Sequence, residues 1–342
     1  MKIAVVPGDG IGREVMPAAL AVLDAFGLDI EKIPLEIGYG KWERTGSAIT
    51  DDDMSIIKEC DCVLFGAITT PPDPNYKSVL MRLRKELDLY ANIRPFVPLK
   101  NVKLPCNKKV FDFVIVRENT EGMYSGIEEL HEDVAYTTRV ITRKGSQRIA
   151  ERACILAKGR KKHITIVHKA NVLKSDSFFR DVCTGVAKRN GISFNEMLVD
   201  AMAYDLILRP EKYDVIVTTN LFGDILSDVA AALTGGLGLC PSANVGDRHA
   251  LFEPIHGSAP DIAGKGIANP IASILSVRMM LQWMGREKDA EVLGRAVDSV
   301  IAKGIVTPDL GGSYSTMDVS DAIAGSVSLL IHQKLTRSYP FR

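Results

Sequence analysis

The sequence predicts an α/β protein with two domains, and three observations support this. Short runs rich in β-branched residues alternate with longer amphipathic segments, which is the order of elements in α/β layers. The chain has 342 residues, well beyond one small core, so two domains are expected. No long linker, repeat or low-complexity tract interrupts the pattern, so the domains are expected to share an interface.

The individual elements follow from these runs. Strands are predicted where β-branched residues cluster, and helices where longer stretches have amphipathic spacing. The predicted strands are residues 2–6, 62–66, 111–116, 163–168, 192–199 and 213–219, and the predicted helices are residues 12–26, 145–159 and 269–285. Residues 69–78 predict a proline-rich loop, and residues 94–109 predict a connection between the domains.

Composition argues against several classes of function. The 42 basic residues balance the 42 acidic ones, so nothing electrostatic points to nucleic acid or an acidic membrane as a partner. The start, MKIAVVPGDG, predicts no signal peptide, and no apolar stretch is long enough to span a bilayer. The six cysteines lack a paired CxxC spacing, so reduced thiols are expected rather than structural zinc. We therefore expect a cytoplasmic protein.

Charged and amide side chains follow four of the predicted strands, at the point where each strand ends. They are Arg117, Glu118 and Asn119; Lys169 and Asn171; Asp200; and Asn220 with Asp224. In open α/β sheets, ligands bind beyond the carboxyl ends of the strands. One charge after a strand is usually a solvated loop residue, but four such strand ends together predict a binding site.

Asp224 and Asp228 lie four residues apart, so both would point from one face of a helix. Either the acids suit the positive end of the helix dipole, or a divalent cation lies between them. Arg84 and Arg94 are candidates for gripping a carboxylate, because a guanidinium offers two parallel donors. This combination suggests a small polyanion bound with a hard cation, and carboxylate oxygens favour Mg²⁺ or Mn²⁺ over zinc.

Two glycine-rich segments could contact a nucleotide. In residues 7–15 the glycines are spaced G-x-G-x-G, with Arg13 where the dinucleotide fingerprint requires its last glycine, so a tight strand-to-helix turn is the better interpretation. Residues 256–270 form a longer loop of small residues, whose backbone amides could approach a ligand. This loop is therefore either an anion or nucleotide site or a structural loop, and a lone histidine such as His256 is more often structural than catalytic.

Seven motifs resemble one family, the β-decarboxylating dehydrogenases, which includes isocitrate, homoisocitrate, isopropylmalate, tartrate and decarboxylating malate enzymes. The motifs are PGDGIG, LYANIRP, VRENTEGMYSG, HKANVL, NLFGDILSD, FEPIHGSAPDIAGKGIANP and TPDLGG. They occur in the family's order, from residue 3 to about residue 325, and together look most similar to archaeal homoisocitrate/isocitrate dehydrogenases.

The resemblance implies an isopropylmalate/isocitrate dehydrogenase-like fold, with two α/β domains around a central sheet, rather than a Rossmann fold. A large cofactor-binding domain would comprise residues 1–92 and 237–342. A small domain, residues 93–236, would carry a dimer arm and the metal site. Similar enzymes are obligate homodimers with shared active sites, so a homodimer, or a higher oligomer, is expected.

The resemblance also implies roles for the residues that match the family's motifs. A small polycarboxylate substrate would be bound by Arg84, Arg94, Arg117 and Asn171. Mg²⁺ or Mn²⁺ would be bound by Asp200, Asp224 and Asp228, with one acid coming from the neighbouring subunit. Lys169 would remove the proton from the substrate hydroxyl group, and Tyr124 would protonate the carbon left after decarboxylation.

The glycine-rich loop would bind the adenosine half of the cofactor. The matching residues are His256, Gly257, Ser258, Ala259, Pro260, Asp261 and Asn269. Asp261 stands where relatives that use NADP carry a lysine. A carboxylate there would accept hydrogen bonds from a ribose diol and repel a 2′-phosphate, so NAD is expected.

Substrate selectivity would depend on Ser78, Leu80 and Met81, on the helix before LRKELDLYANIRP. Serine followed by aliphatic residues favours homoisocitrate or isocitrate, whereas paired aliphatic residues also resemble 3-isopropylmalate enzymes. Leu80 and Met81 could alternatively be core residues. A hypothesis of another class is a regulatory or binding relative that keeps the fold without the chemistry, which the presence of Tyr124, Lys169 and the three aspartates disfavours.

Overall fold

The computed structural model describes residues 1–105 and 110–337, with side chains as far as Gln333. Its strands are β1 (Lys2–Gly8), β2 (Glu31–Pro34), β3 (Cys62–Ala67), β4 (Ala91–Phe96), β5 (Phe113–Glu118), β6 (Glu128–Leu130), β7 (Ala135–Thr137), β8 (His163–His168), β9 (Ser193–Leu198), β10 (Val215–Thr218), β11 (Pro241–Val245) and β12 (Ala250–Pro254). Its helices are α1 (Gly12–Asp24), α2 (Tyr39–Thr45), α3 (Asp51–Lys58), α4 (Val79–Glu86), α5 (Arg143–Lys158), α6 (Lys174–Arg189), α7 (Val199–Leu208), α8 (Asn220–Thr234), α9 (Ile271–Trp283), α10 (Glu287–Ala302) and α11 (Thr316–Arg337).

The α/β class is confirmed, and each predicted strand and helix is present. The predicted connection at residues 94–109 is only partly correct, because Arg94 to Phe96 belong to β4; residues 106–109 lie outside the described residues. Strands β2, β4, β6, β7, β11 and β12 were not predicted. The sequences of β4 and β11, ANIRPF and PSANV, alternate apolar residues with buried polar ones, so they lack the β-branched run that marks most of the predicted strands.

Ten strands form one sheet in the order β2-β1-β3-β12-β11-β4-β5-β10-β8-β9. Pairing is parallel on both sides, and it is antiparallel only among β12, β11, β4 and β5 at the centre. The parallel strands are covered on both faces by helices, as the crossover connections of α/β proteins require. The antiparallel centre therefore joins two parallel halves.

The central strands carry different chemistry on their two faces. Registered pairs place Asn92 opposite both Arg117 and Asn244, while Ile93 lies opposite Val116 and Ala243. Neighbours in register project to the same side of a sheet, and successive residues project to opposite sides. One face of the central strands is thus polar and the other is apolar.

The buried apolar residues divide between the two halves of the sheet. One set combines β1, β3 and β12 with α1, α9, α10 and α11, and another combines β5, β8 and β10 with α5 and α6. The predicted domain boundaries, at residues 92/93 and 236/237, remain a prediction. Among the described residues, no helix is both long enough and apolar enough to cross a membrane.

The glycine-rich segment after β1 forms the tight turn that was predicted for it. Gly8 and Gly10 have φ values of +74° and +53°, which are favourable only for glycine. A Cβ atom on Gly12 would lie 2.1 Å from the carbonyl oxygen of Pro7, so the turn also depends on a close backbone approach. The carboxylate of Asp9 accepts backbone N–H bonds from Tyr39, Gly40 and Thr69, which fixes the turn against neighbouring segments.

Candidate active site

Three arginines that were predicted to bind carboxylates lie in one cleft of about 340 Å³. Arg84 comes from α4, Arg94 from β4 and Arg117 from the end of β5, and their exposed fractions are only 7%, 5% and 1%. Burying cations is unfavourable unless anions compensate them. The cleft therefore has a strong preference for negative charge.

Asp224, in the second turn of α8, supplies part of that charge. Its carboxylate contacts the guanidiniums of Arg94, at 3.3 Å, and Arg117, and accepts a hydrogen bond of 2.9 Å from the Tyr124 hydroxyl. Burial alone would raise the pKa of Asp224, but the two guanidiniums outweigh it and hold the pKa below its usual value. Asp224 is thus ionised at neutral pH.

Arg117 is oriented by the residue that begins α8. The side-chain oxygen of Asn220 accepts hydrogen bonds from Nε and Nη2 of Arg117, at 3.1 and 2.7 Å. Burial, followed by the charges of Arg94 and Arg84, lowers the pKa of Arg117. Its aliphatic part passes over Gly223, where a Cβ atom would lie 2.6 Å from Arg117 Cγ. A glycine on this face of α8 therefore makes room for the arginine.

A buried polar network beneath the cleft was not predicted from the sequence. Asn92 accepts a hydrogen bond from Arg94 Nε and donates to Asn244, at 3.0 Å. Asn244 donates to Glu253, at 2.7 Å, and Arg84 Nη2 lies 3.4 Å from the same carboxylate oxygen. Apart from Arg84, which comes from α4, these residues lie on the polar face of the central strands. Polar alternation in ANIRPF and PSANV was the available signal.

Tyr124 lies in a short 3₁₀ turn, Met123–Ser125, between two glycines with positive φ. Its ring centroid is 5.4 Å from Cζ of Arg117. Burial, and then the negative charge of Asp224, raises the pKa of Tyr124. The phenol therefore stays protonated near neutral pH and can act as an acid.

Lys169 and Asp200 form a second group. Lys169 follows β8, Asp200 lies at the start of α7, and the distance from Nζ to Oδ1 is 2.5 Å. The hydrogen bond from Lys169 lowers the pKa of Asp200. Asn171, two residues beyond the lysine, is exposed and lies in the loop before α6.

The three predicted metal ligands are not gathered within one chain. Among the described residues, no group of three or more histidine, cysteine, aspartate or glutamate side chains is placed to bind a metal ion. Asp224 and Asp228 share α8, whereas Asp200 lies beside Lys169. Burial and the neighbouring charge of Asp224 raise the pKa of Asp228. A hard cation such as Mg²⁺, which prefers oxygen ligands, would relieve the repulsion between these two carboxylates.

The glycine-rich loop after β12 adjoins the same cleft. His256 and Gly257 line it, and the Nε2 atom of His256 is buried without a hydrogen-bond partner among the described residues. Ser258 binds Ile11 N through its carbonyl oxygen, at 2.8 Å, whereas Pro260 and Asp261 are exposed. The unpartnered Nε2 atom of His256 and the exposed residues beside it are available for contacts with a polar ligand, such as a nucleotide.

The remaining loop residues have structural contacts. Ala259 has a φ of +39°. Asn269 accepts a hydrogen bond from Ile271 N at the start of α9 and donates one to Asp309, at 3.0 and 2.9 Å. The loop is thus anchored at both ends, with its middle open to solvent.

The three predicted selectivity residues also line the cleft. Ser78 caps α4 by accepting a hydrogen bond of 3.4 Å from Met81 N. Leu80 and Met81 are half-buried. Their exposed surface faces the cleft, so core packing does not account for them fully.

Comparisons with known proteins agree with this geometry. The profile of the family described as isocitrate/isopropylmalate dehydrogenase matches residues 2–323. The homoisocitrate dehydrogenase of Methanocaldococcus jannaschii is 49% identical, over 94% of this chain and 96% of that protein. The 3-isopropylmalate/3-methylmalate dehydrogenase of the same organism is 48% identical, over 95% and 98%. The crystal structure of isocitrate dehydrogenase from Methylococcus capsulatus has a TM-score of 0.92 at 42% identity, and the match covers 96% of this chain and 99% of that chain.

We expect Gly223→Ala to weaken the binding of a dicarboxylate probe, D-malate, by about tenfold, or about 1.4 kcal/mol. The added methyl group would displace the buried side chain of Arg117. Isothermal titration calorimetry measures the effect. Gly185→Ala in α6 is the matched control, because its Cβ atom would meet only the end of Arg189, at 3.5 Å. Equal affinity in both variants would contradict the role given to Gly223.

Proposed function

This chain belongs to the isocitrate/isopropylmalate dehydrogenase family, whose members include decarboxylating dehydrogenases. We propose that it oxidises a 3-substituted (2R,3S)-malate with NAD and then decarboxylates the product. The observation that carries the proposal is the cleft in which three buried arginines surround an ionised aspartate and a protonated tyrosine. This arrangement suits a small polyanion and offers an acid beside it.

Arg84, Arg94 and Arg117 would bind the substrate carboxylates. A guanidinium donates two parallel hydrogen bonds, and buried donors keep their direction because their own partners fix them. Asn220 orients Arg117, and Asn92 orients Arg94. The substrate would therefore be held in one orientation.

Asp224 and Asp228, with Asp200 of a second subunit, would bind Mg²⁺ or Mn²⁺. Such a cation, when bound, polarises the carbonyl oxygen as a Lewis acid. Lys169 would accept the hydroxyl proton once the Asp200 carboxylate, to which its Nζ atom donates a hydrogen bond within one chain, is released to the cation. Tyr124 would return a proton to carbon, from a hydroxyl group already directed by Asp224.

A homodimer would bring the two groups of residues together. Within one chain, Lys169 pairs with Asp200. Among the described residues, the partners of the Asp224 carboxylate are instead Arg94, Arg117 and Tyr124. Large apolar side chains on α7 and α8 are exposed, including Tyr204 at 66% and Ile225 at 53%. Leu130, in the β6–β7 hairpin, is 86% exposed. Surfaces of this kind mark protein–protein contacts, so we propose that a second copy covers them and completes each site.

NAD is proposed as the cofactor because Asp261 is exposed on the loop that adjoins the cleft. Its carboxylate would accept hydrogen bonds from the ribose diol of NAD and would repel the 2′-phosphate of NADP. The orphaned Nε2 atom of His256 offers a further polar contact.

Homoisocitrate or isocitrate is the proposed substrate, and 3-isopropylmalate is the alternative. The Ser78 hydroxyl lines the cleft and could donate a hydrogen bond to a third carboxylate. Leu80 and Met81 line it as well and could contact an alkyl group. Relatives named for each substrate are 49% and 48% identical to this chain, which does not separate the two. A regulatory relative without turnover would keep the cleft but lack activity on every substrate.

The substrate proposal predicts that the purified protein reduces NAD, in the presence of Mg²⁺ or Mn²⁺, with the highest kcat/KM for a tricarboxylate. The panel is homoisocitrate, isocitrate, 3-isopropylmalate and D-malate, followed by NADH absorbance. A higher kcat/KM for 3-isopropylmalate than for the tricarboxylates would favour the alternative, in which Leu80 and Met81 contact an alkyl group. Absence of turnover on all four would reject the enzymatic proposal.

Lys169→Met should fold and dimerise but lose turnover by at least about a hundredfold, the usual scale for one acid–base group. Methionine keeps most of the side-chain volume and removes the amine. Steady-state kinetics and size-exclusion chromatography measure the two effects. The control is Lys174→Met, which changes the exposed lysine that begins α6, five residues after Lys169. Activity like that of the unmodified protein would remove Lys169 from the mechanism.

Asp261→Lys should shift the ratio of kcat/KM values for NAD and NADP towards NADP by about tenfold or more. The change removes an acceptor for the ribose diol and adds a cation beside the 2′ position. Lys265→Asp, in the same loop, controls for a general change of loop charge. An unchanged cofactor ratio would contradict the role of Asp261.

A further inference from the structure

Arg139 lies where the hairpin of β6 and β7 rejoins the rest of the chain. The next residue, Val140, exchanges backbone hydrogen bonds with Gly122, at 2.8 and 3.2 Å. Gly122 lies two residues before Tyr124. The backbone at Arg139 is therefore fixed against the segment that carries the candidate acid.

The side chain of Arg139 forms a buried ion pair with Asp176, at 2.6 Å. The Asp176 side chain is completely buried, and its other oxygen accepts the backbone N–H of Lys169, also at 2.6 Å. A buried carboxylate is destabilising unless it is paired. Arg139 thus stabilises the charge on the residue that fixes the backbone of Lys169.

The same guanidinium reaches α8. Its Nη2 atom donates a hydrogen bond of 2.9 Å to the Thr219 hydroxyl, at the N-cap of the helix that carries Asp224 and Asp228. Its Cζ atom also lies 4.9 Å from the ring centroid of Phe222. The Arg139 side chain therefore joins two segments of the candidate site, and the backbone of the neighbouring Val140 joins them to the segment that carries Tyr124.

We propose that Arg139 is a positioning residue for the reaction proposed above, on which this inference rests. It acts through Asp176 on the backbone of Lys169 and through Thr219 on the start of α8, without contacting the substrate. In the proposed dimer, α8 of one chain and the Lys169 segment of the same chain would belong to different active sites. Arg139 would connect these two segments. The placement of Lys169 would then depend on the root of the hairpin.

The kinetic test is Arg139→Ala in the full-length protein. We expect kcat to fall by about thirtyfold or more while KM changes by less than about threefold, because the carboxylate-binding arginines are untouched. Guanidinium ion added at millimolar concentration should restore part of kcat by occupying the space beside Asp176. Arg139→Lys should be intermediate, because an ammonium keeps the charge but not the planar donor set. The control is Arg143→Ala, which removes an exposed guanidinium 5.0 Å from the ring of Phe178.

Hydrogen exchange provides a second test that does not require turnover. In Arg139→Ala the amide of Lys169 and the first turn of α8 should exchange faster, while the strands β1 and β3 should keep their protection. If the variant does not fold, Arg139→Lys and Asp176→Asn are compared in the same way. Unchanged exchange at Lys169, or a loss of kcat that guanidinium does not restore, would overturn the positioning role. Lack of turnover in the unmodified protein, with the exchange effect present, would instead reject the proposed function alone.

Discussion

The constraint on which the structure depends is the burial of three arginines in one cleft. Among the described residues, the carboxylates in direct contact with Arg84, Arg94 and Arg117 are those of Glu253 and Asp224. Charges removed from water need close partners, and an uncompensated cation there would destabilise the fold. The cleft is therefore a region where a further anion binds favourably, and the preference for a polyanionic ligand follows from the fold itself.

The central strands reconcile this burial with a stable core. Their polar face directs Asn92, Asn244 and Glu253 towards the arginines, where Arg94 Nε donates to Asn92 and Asn244 donates to Glu253. Their other face directs Phe252 and Ala243 into the apolar core, against α9. Alternation with a period of two allows one strand to serve both functions. Parallel strands such as β3 and β10, which are buried on both faces, cannot present a polar floor in this way.

The sequence predicted most of the parallel strands and the strand-end residues because both have local signals. Runs of β-branched residues mark most of these strands; Arg117 and Lys169 come at their ends, and Asp224 lies on the helix that follows β10. The floor of the cleft had no such signal, since a polar residue in β4 or β11 resembles a loop residue until its partner on the neighbouring strand is known. The same limit applies to Arg139, whose contacts come from residues 37 and 80 positions away. Long-range partners are set by topology, which local patterns do not encode.

The two ion pairs of the candidate site differ in a way that matters for chemistry. Asp224 is held among buried guanidiniums, so its charge and position are fixed before any ligand binds. Lys169 and Asp200 lie near the surface, where solvent screens their attraction and the pair stabilises the fold little. A pair of this kind separates readily when another group competes for either partner. The rigid group is thus suited to binding and orienting a substrate, and the labile pair is suited to a proton acceptor that must be released from its partner when the site is completed.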